Sequence, residues 1–403
     1  MKLETDPKKI EELLDRGVET IYPNRKTLEK ALISGKKLKI YNGIDPSNPN
    51  LHLGNAAVLR KLRQFQGLGH KVILLIGDFT GRIGDPSDKS ATRPQLSHQQ
   101  VLKNAKNYKE QASKILDFKS KNNLCEIKFN SHWLDKLTNK DMIKLAGCFT
   151  VQQIIERDLF QKRLKEKKPI GLHEFLYPLY QGYDSVAMDV DMEIGGVDQT
   201  FNMLIGRTLV DIYRHKEKFV LTIPLLPGPD GRKMSKSWGN VINMLDSPGE
   251  MYGKVMSIKD ELISVYFELC TDISNRKLRE IKRKLKTRAV NFRGLKSELA
   301  KEVVTVYHGE KAALDAEKEF DRIFKEKKIP KKISGIKILE KEISLPQLLV
   351  RMKFVSSKSE ARRLILQKGV KIDGLIESDW QKIIKIKKKM IIQVGKRKFA
   401  KII

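Results

Sequence analysis

Cysteine is scarce: the chain carries three, Cys125, Cys148 and Cys270, in 403 residues. They are scattered and odd in number, which argues against a disulfide framework or a clustered metal site and fits a reducing cytoplasm. Long apolar runs are also lacking. No stretch of about 18 apolar residues occurs, so no membrane span is expected. Met1-Lys2-Leu3-Glu4-Thr5-Asp6 has no apolar core of a signal peptide. Acid is missing from one place in particular. From Gln381 to Ile403 there are nine Lys/Arg and no Asp or Glu.

Basic residues are what the chain has in excess, for a net charge of +30. That balance points to a polyanionic partner, most often nucleic acid. The plain alternative is a lysine-biased genome that spreads charge over solvated faces. The acid-free end argues against uniform spreading. The length calls for about two or three domains, and 40% hydrophobic residues suffice for their cores.

Residues 39–46 read as a strand entering a turn. A helix follows with apolar Val58, Leu62 and Phe65, ending near Gly67 and Gly69. Val72-Ile73-Leu74-Leu75-Ile76 is a strand apolar on both faces, as a buried parallel strand is. Strand, helix and strand at this spacing make a βαβ unit of a doubly wound, Rossmann-like parallel sheet. A later strand is expected over 219–226, before the turn-rich Pro227-Gly228-Pro229-Asp230-Gly231. Residues of about 125–185 read as a mostly helical insertion. After about 247 the pattern is helical and charged, and 325–332 reads as a linker. The expected domains are 1–230, α/β and catalytic; 231–330, α-helical; and 341–403, small and α+β. In the last, Ser357 and Glu360 read as a capping box for a basic helix from Ser359 to Lys368, with Gly369 at its end. Turns are expected at Asp373-Gly374 and Gly395-Lys396. No internal repeat is present.

Two short segments carry chemistry. His52-Leu53-Gly54-Asn55 sits at the start of the first helix, where a doubly wound sheet takes phosphate. Gly54 allows close approach of a nucleotide to the backbone. On its own, a histidine there is most often a cap or a packing residue. Lys233-Met234-Ser235-Lys236-Ser237 follows a Pro/Gly-rich turn, and its two lysines three apart can close over a triphosphate. Cations and donors of this kind are needed where charge grows on an α-phosphate and a departing pyrophosphate.

Together the two segments resemble the HIGH and KMSKS signatures of class I aminoacyl-tRNA synthetases. Tyr41 to Pro46, Ile83 to Ser87, Tyr177 to Asp184 and Gly195 to Gln199 are similar to the bacterial tyrosyl-tRNA synthetase family, in its order and spacing. The last part resembles the S4 RNA-binding domain. The resemblance implies that Tyr41 and Asp184 hold a phenol hydroxyl, while Asp85, Tyr177 and Gln181 bind the ammonium group beside Asn130 and Gln199. It places Asp45, Gly54, Gly196, Asp198, Ser235 and Lys236 on ATP. His52, Asn55, Lys89, Arg93, Lys233 and Lys236 would stabilise the phosphates, and Ser235 and Ser237 would shape their loop. It further implies ATP with Mg²⁺ on the triphosphate, no protein-bound metal, L-tyrosine, tRNA(Tyr), and a homodimer through the insertion. Lys358, Arg362, Arg363 and Lys368 would meet tRNA phosphates. Asn55 and Ser47 depart from the usual histidine and threonine. A tryptophanyl-tRNA synthetase, opposed by Tyr41 with Asp184 and by the S4-like tail, and an inactive RNA-binding relative are the rival readings.

Overall fold

The apolar run at 72–76 lies inside a sheet, as its two apolar faces require. The computed structural model describes residues 3–403 except 86–95, 121–122, 124, 236–237, 288–289, 325–332 and 396–397. Two compact units are present, Met1–Ala313 and Leu314–Ile403.

The first unit holds six strands: β1 (Thr20–Tyr22), β2 (Lys39–Ile44), β3 (Lys71–Ile76), β4 (Glu126–Phe129), β5 (Met192–Gly196) and β6 (Phe219–Ile223). Their order across the sheet is β1-β6-β5-β2-β3-β4. Strands β2 to β6 are parallel, and β1 pairs antiparallel with β6 at the edge. The chain winds outward from β2 to β4, then returns to the other side of β2 for β5 and β6. The winding reverses between β2 and β5, and the crevice beyond their carboxyl ends is where such a sheet takes ligands.

The region expected to be a helical insertion from about 125 begins instead with a strand, β4. Its residues are all half-buried, as an edge position allows, and alternation on a short edge strand carries little sequence signal. The strand expected over 219–226 stops at Ile223, before Pro224. Helices Leu172–Ala187 and Thr200–Arg214 pack on each other through Leu179, Val186, Ile205, Leu209 and Val210. After residue 247 the first unit carries the helices Pro248–Met256, Ile263–Cys270, Asn275–Lys286 and Phe292–His308.

The helix after β2 runs from Leu53 to Gly67, and Leu62 and Phe65 are buried under it. Lys61 is buried on the same helix, and its Nζ donates to the carbonyls of Leu13 (2.7 Å) and Arg16 (2.6 Å), capping the end of helix Pro7–Asp15. Burial, helped by the neighbouring Arg16 charge, pushes its ammonium down to about 7. The unfolded chain holds that proton and the folded chain releases it, so stability rises with pH from about 7 towards 10.5, by at most ~1.4 kcal/mol per pH unit. Urea midpoints between pH 7 and 8.5 should therefore climb in the wild type and climb less in Lys61→Met. Equal slopes would refute the link.

The second unit carries a five-stranded sheet built from Ser334–Ile336, Val370–Ile372, Leu375–Glu377, Ile391–Val394 and Lys398–Ile402, plus a two-stranded ladder of Glu342–Ser344 with Ile383–Lys385. Helices Leu345–Arg351 and Lys358–Leu366 supply Leu345, Leu348, Leu349 and Ile365 to its core. The basic helix thus ends at Leu366 rather than Lys368, and Lys368, at φ 56°, takes the left-handed position instead of Gly369. Ser357 accepts from the Glu360 N–H as expected, but the Glu360 carboxylate reaches Ser356 (2.7 Å from both N–H and O–H). Asp373 and Gly374 turn the hairpin with φ of 48° and 87°, the signs a tight two-residue turn needs. No helix among the described residues is long and apolar enough to cross a membrane.

Candidate active site

A cleft of about 310 Å³ opens at the carboxyl ends of β2 and β5. It is lined by Tyr41, Asp45, His52, Gly54, Asn55, Asp85, Asn130, Tyr177, Gln181, Asp184, Gly196, Asp198, Gln199, Lys233 and Ser235, which the sequence scatters over some 195 positions. Every expected tyrosine-side residue lies there. Lys89, Arg93, Lys236 and Ser237 lie outside the described residues.

At the mouth, His52 is the N-cap of helix Leu53–Gly67. Its Nδ1 accepts from the Gly54 N–H at 3.1 Å, which puts the proton of a neutral imidazole on Nε2. Asn55 Oδ1 accepts from the His52 N–H at 3.1 Å, so asparagine closes a reciprocal cap there. His52 is thus a cap that also lines the cleft. The segment that follows the lysine-bearing string is stitched to this one. The Leu53 N–H donates to Ile242 O and the Met244 N–H to Leu51 O, both at 2.9 Å. Upstream, Asn240 ties the base of the loop: its Nδ2 reaches Asp230 Oδ1 (2.8 Å) and Lys233 O (3.1 Å), and its Oδ1 accepts from the Ser235 N–H (2.8 Å). These bonds, Asn240 first and Arg232 next, hold the Asp230 carboxyl down at about 2. Lys233 Nζ rests on Asp198 Oδ2 at 2.7 Å.

Deeper in, Asp45 Oδ1 accepts from Thr80 Oγ1 (2.6 Å) and Oδ2 from the Tyr177 hydroxyl (2.8 Å). Glycine is required at 77, because a Cβ there would lie 1.9 Å from Asp45 Oδ1. Tyr177, expected beside an ammonium, thus spends its proton on a residue expected at the nucleotide. Burial, with the Asp45 and Asp85 charges adding to it, holds its hydroxyl well above the usual phenol range. Asp85 is gripped by Arg157 Nη2 (3.2 Å) and Gln199 Nε2 (2.6 Å).

At the floor, Asp184 is buried, and accepts from Trp133 Nε1 (2.7 Å) and Asn130 Nδ2 (3.1 Å). Burial raises its carboxyl well above the ordinary range against those two donors. Asn130 completes its own bonding through Thr80 Oγ1 (2.9 Å) and the Phe79 N–H (2.9 Å). Tyr41 meets Ser185 Oγ at 2.8 Å. Gln181 donates to Glu193 Oε1 (3.1 Å), while its own Oε1 is buried without a partner, an acceptor ready for a donor from a ligand.

Sequence reasoning missed Thr80, Trp133, Arg157, Ser185, Glu193 and Lys218. None belongs to a local pattern. Ser185, directly after Asp184, is the one that adjacency to a named residue could have flagged. Among the described residues no group of three or more His, Cys, Asp or Glu side chains is arranged to hold a metal ion. In the second unit, Lys358, Arg362, Arg363 and Lys368 are all exposed, with the Arg362 guanidinium 4.0 Å from the centroid of the Trp380 ring.

Comparison with known proteins places these features in context. The family model of tRNA synthetases class I (W and Y) matches residues 34–325, and that of the S4 domain matches residues 344–385. A tyrosine--tRNA ligase of Moorella thermoacetica is 47% identical over 405 residues, spanning 100% of this chain and 97% of its own. One from Thermotoga maritima is 47% identical over 397 residues, spanning 98% of both chains. Among solved structures, a C-terminally truncated mitochondrial tyrosyl-tRNA synthetase of Aspergillus nidulans superposes with TM-score 0.66 at 21% identity, covering 78% of this chain and 94% of that one. A tyrosyl-tRNA synthetase of Archaeoglobus fulgidus complexed with L-tyrosine gives TM-score 0.61 at 20% identity, covering 77% and 100%. These last two likenesses concern the fold.

Proposed function

Because the chain belongs to the class I tRNA synthetases (W and Y), we propose that it is a tyrosine--tRNA ligase, acting on L-tyrosine, ATP and tRNA(Tyr). The observation that carries this reading is the pairing, in one cleft, of Tyr41 and Asp184 at the floor with His52 and Lys233 at the mouth. A phenol hydroxyl needs one donor and one acceptor, and the floor offers both. A buried site of this kind rejects a ring without the hydroxyl, because its own polar groups would be left unpaired.

In the first step, a tyrosine carboxylate oxygen attacks the α-phosphorus of magnesium-bound ATP. The bond to the bridging oxygen breaks and pyrophosphate leaves. The carboxylate is already a nucleophile, so no general base is needed, and the work is positioning and charge stabilisation. Asp85, with Gln181 and Gln199, would fix the ammonium group. Asp198 would hold the ribose and Gly54 and Gly196 would let the nucleotide lie close. His52, donating from Nε2, and Lys233 would stabilise the phosphates, with Asn55 holding the His52 backbone. In the second step, a hydroxyl of the terminal tRNA ribose attacks the activated carbonyl and AMP leaves.

In the same reading, 1–230 is the catalytic domain, 231–330 carries the lysine loop and the anticodon-side helices, and 341–403 binds tRNA through Lys358, Arg362, Arg363 and Lys368. A homodimer through the insertion, in the cytoplasm, completes it. Exposed Ile143, Val151, Leu164 and Leu172 on that insertion support the dimer. ATP–pyrophosphate exchange should respond to tyrosine and not to tryptophan. Exchange with tryptophan alone would overturn the specificity, and none with any amino acid would leave an RNA-binding relative.

A further inference from the structure

Behind the floor of the cleft lies a charged cluster that no signature contains. Lys218, immediately before β6, is fully buried, and its ammonium has three donors. One goes to Glu193 Oε2 on the parallel neighbour β5, one to Ser185 Oγ at 2.7 Å, and one to Met203 O at 3.3 Å. Glu193 and Ser185 are 2% and 0% exposed, and Tyr41 is 1% exposed. The Lys218 ammonium lies 5.7 Å from the centroid of the Tyr41 ring.

The donor count fixes the Lys218 bond and favours one direction in the next, where either hydroxyl can donate. Lys218 can only donate, so Ser185 Oγ accepts from it. The hydroxyl hydrogen of Ser185 is then left with the Tyr41 oxygen, 2.8 Å away, as its side-chain partner. Donation from a cation polarises the serine O–H and strengthens it as a donor. Without that cation, the more acidic phenol would be the donor of the pair. In that arrangement Tyr41 accepts from Ser185 and keeps its own proton for another acceptor. Glu193 also faces the Tyr41 hydroxyl and competes for that proton. Its two oxygens also accept from Lys218 and from Gln181 Nε2, which weakens each as an acceptor for a further proton.

We propose that Lys218, acting through Ser185 and Glu193, is a positioning residue that turns the Tyr41 proton toward the cleft, making Tyr41 the donor to the substrate's phenolic oxygen and Asp184 the acceptor. This rests on the tyrosine-activating reading above. Specificity for a hydroxylated ring is then set one layer behind the residues that touch it.

The test is amino-acid-dependent exchange in Ser185→Ala, in Tyr41→Phe, and in the double variant. Lys218→Met would strand a buried carboxylate and can fail to fold, so Ser185→Ala, which removes one oxygen, is the main probe. The expected result is a rise of about tenfold in the KM for tyrosine, with the KM for ATP unchanged and the preference for tyrosine over phenylalanine lowered by the same factor. In the Tyr41→Phe background the serine change should have no further effect on that preference, because the relay has lost its end. An unchanged preference in Ser185→Ala, an equal loss for both amino acids, or full additivity in the double variant would overturn the relay. Absence of tyrosine-dependent exchange in the wild type would instead overturn the underlying activity, and is read first.

Discussion

Asp85→Ala is expected to lower kcat/KM for tyrosine in ATP–pyrophosphate exchange by roughly 10²–10³-fold, with most of the loss in KM. Two effects add. The substrate ammonium loses its carboxylate partner, and Arg157 loses the acceptor 3.2 Å from its Nη2. Arg157 is only 5% exposed, so its charge cannot be relieved by water and would repel the incoming ammonium. Asp85→Asn should fall between wild type and alanine, since an amide can still bond to Gln199 but cannot neutralise a cation. Tyrosine binding measured by equilibrium dialysis reports the loss without the chemical step. Unaltered binding in the alanine variant would remove Asp85 from the ammonium site.

Lys233→Ala should slow adenylate formation by roughly 10²–10³-fold, the loss that follows deletion of one donor to a developing charge, about 2.7–4 kcal/mol. Tyrosine affinity should stay within about twofold, because Lys233 stands at the mouth and not the floor. The bond between Lys233 and Asp198 is a weak one to exchange. It joins side chains that are 38% and 22% exposed, and such a pair is worth no more than about 1 kcal/mol. A triphosphate offers a much denser charge than one carboxylate. Rapid-quench measurement of adenylate at saturating tyrosine separates the outcomes. A normal single-turnover rate would show that Lys233 has a resting role on Asp198 and none on phosphate.

What the sequence revealed of the fold follows burial. β3 is apolar on both faces and β6 nearly so, and both stand out as runs, while β2, with Asn42 and Gly43 inside it, is legible from the turn and helix that follow it. β5 hides because Met192-Glu193-Ile194-Gly195-Gly196 holds a carboxylate and two glycines. Its Glu193 is paired with Lys218, just before the adjoining strand and 25 residues away in the chain, and also accepts from Gln181. β1 and β4 are short edge strands with half-buried residues. The site divides in the same way. Residues in signature strings could be named in advance, and the site residues among the described ones meet in one cleft. The residues that hold them, Thr80, Trp133 and Arg157, come from other elements and have no string, and Ser185 lies one position past the end of one. Tyr177 shows the boundary. Its motif places it in the pocket, but only coordinates reveal that its hydroxyl serves Asp45.

Arg157 closes a circuit between two parts of the catalytic unit. It is the residue before helix Asp158–Lys165, and its guanidinium lies 5.7 Å from the ring centroids of both Phe160 and Phe201 while it grips Asp85. In the proposed reading, a substrate cation arriving at Asp85 would share that carboxylate with it, and occupancy of the pocket would weaken one of the bonds that holds the start of this helix. Linkage makes the exchange reciprocal: whatever packs against the helix and fixes its position alters, by the same factor, how tightly the pocket holds its ammonium.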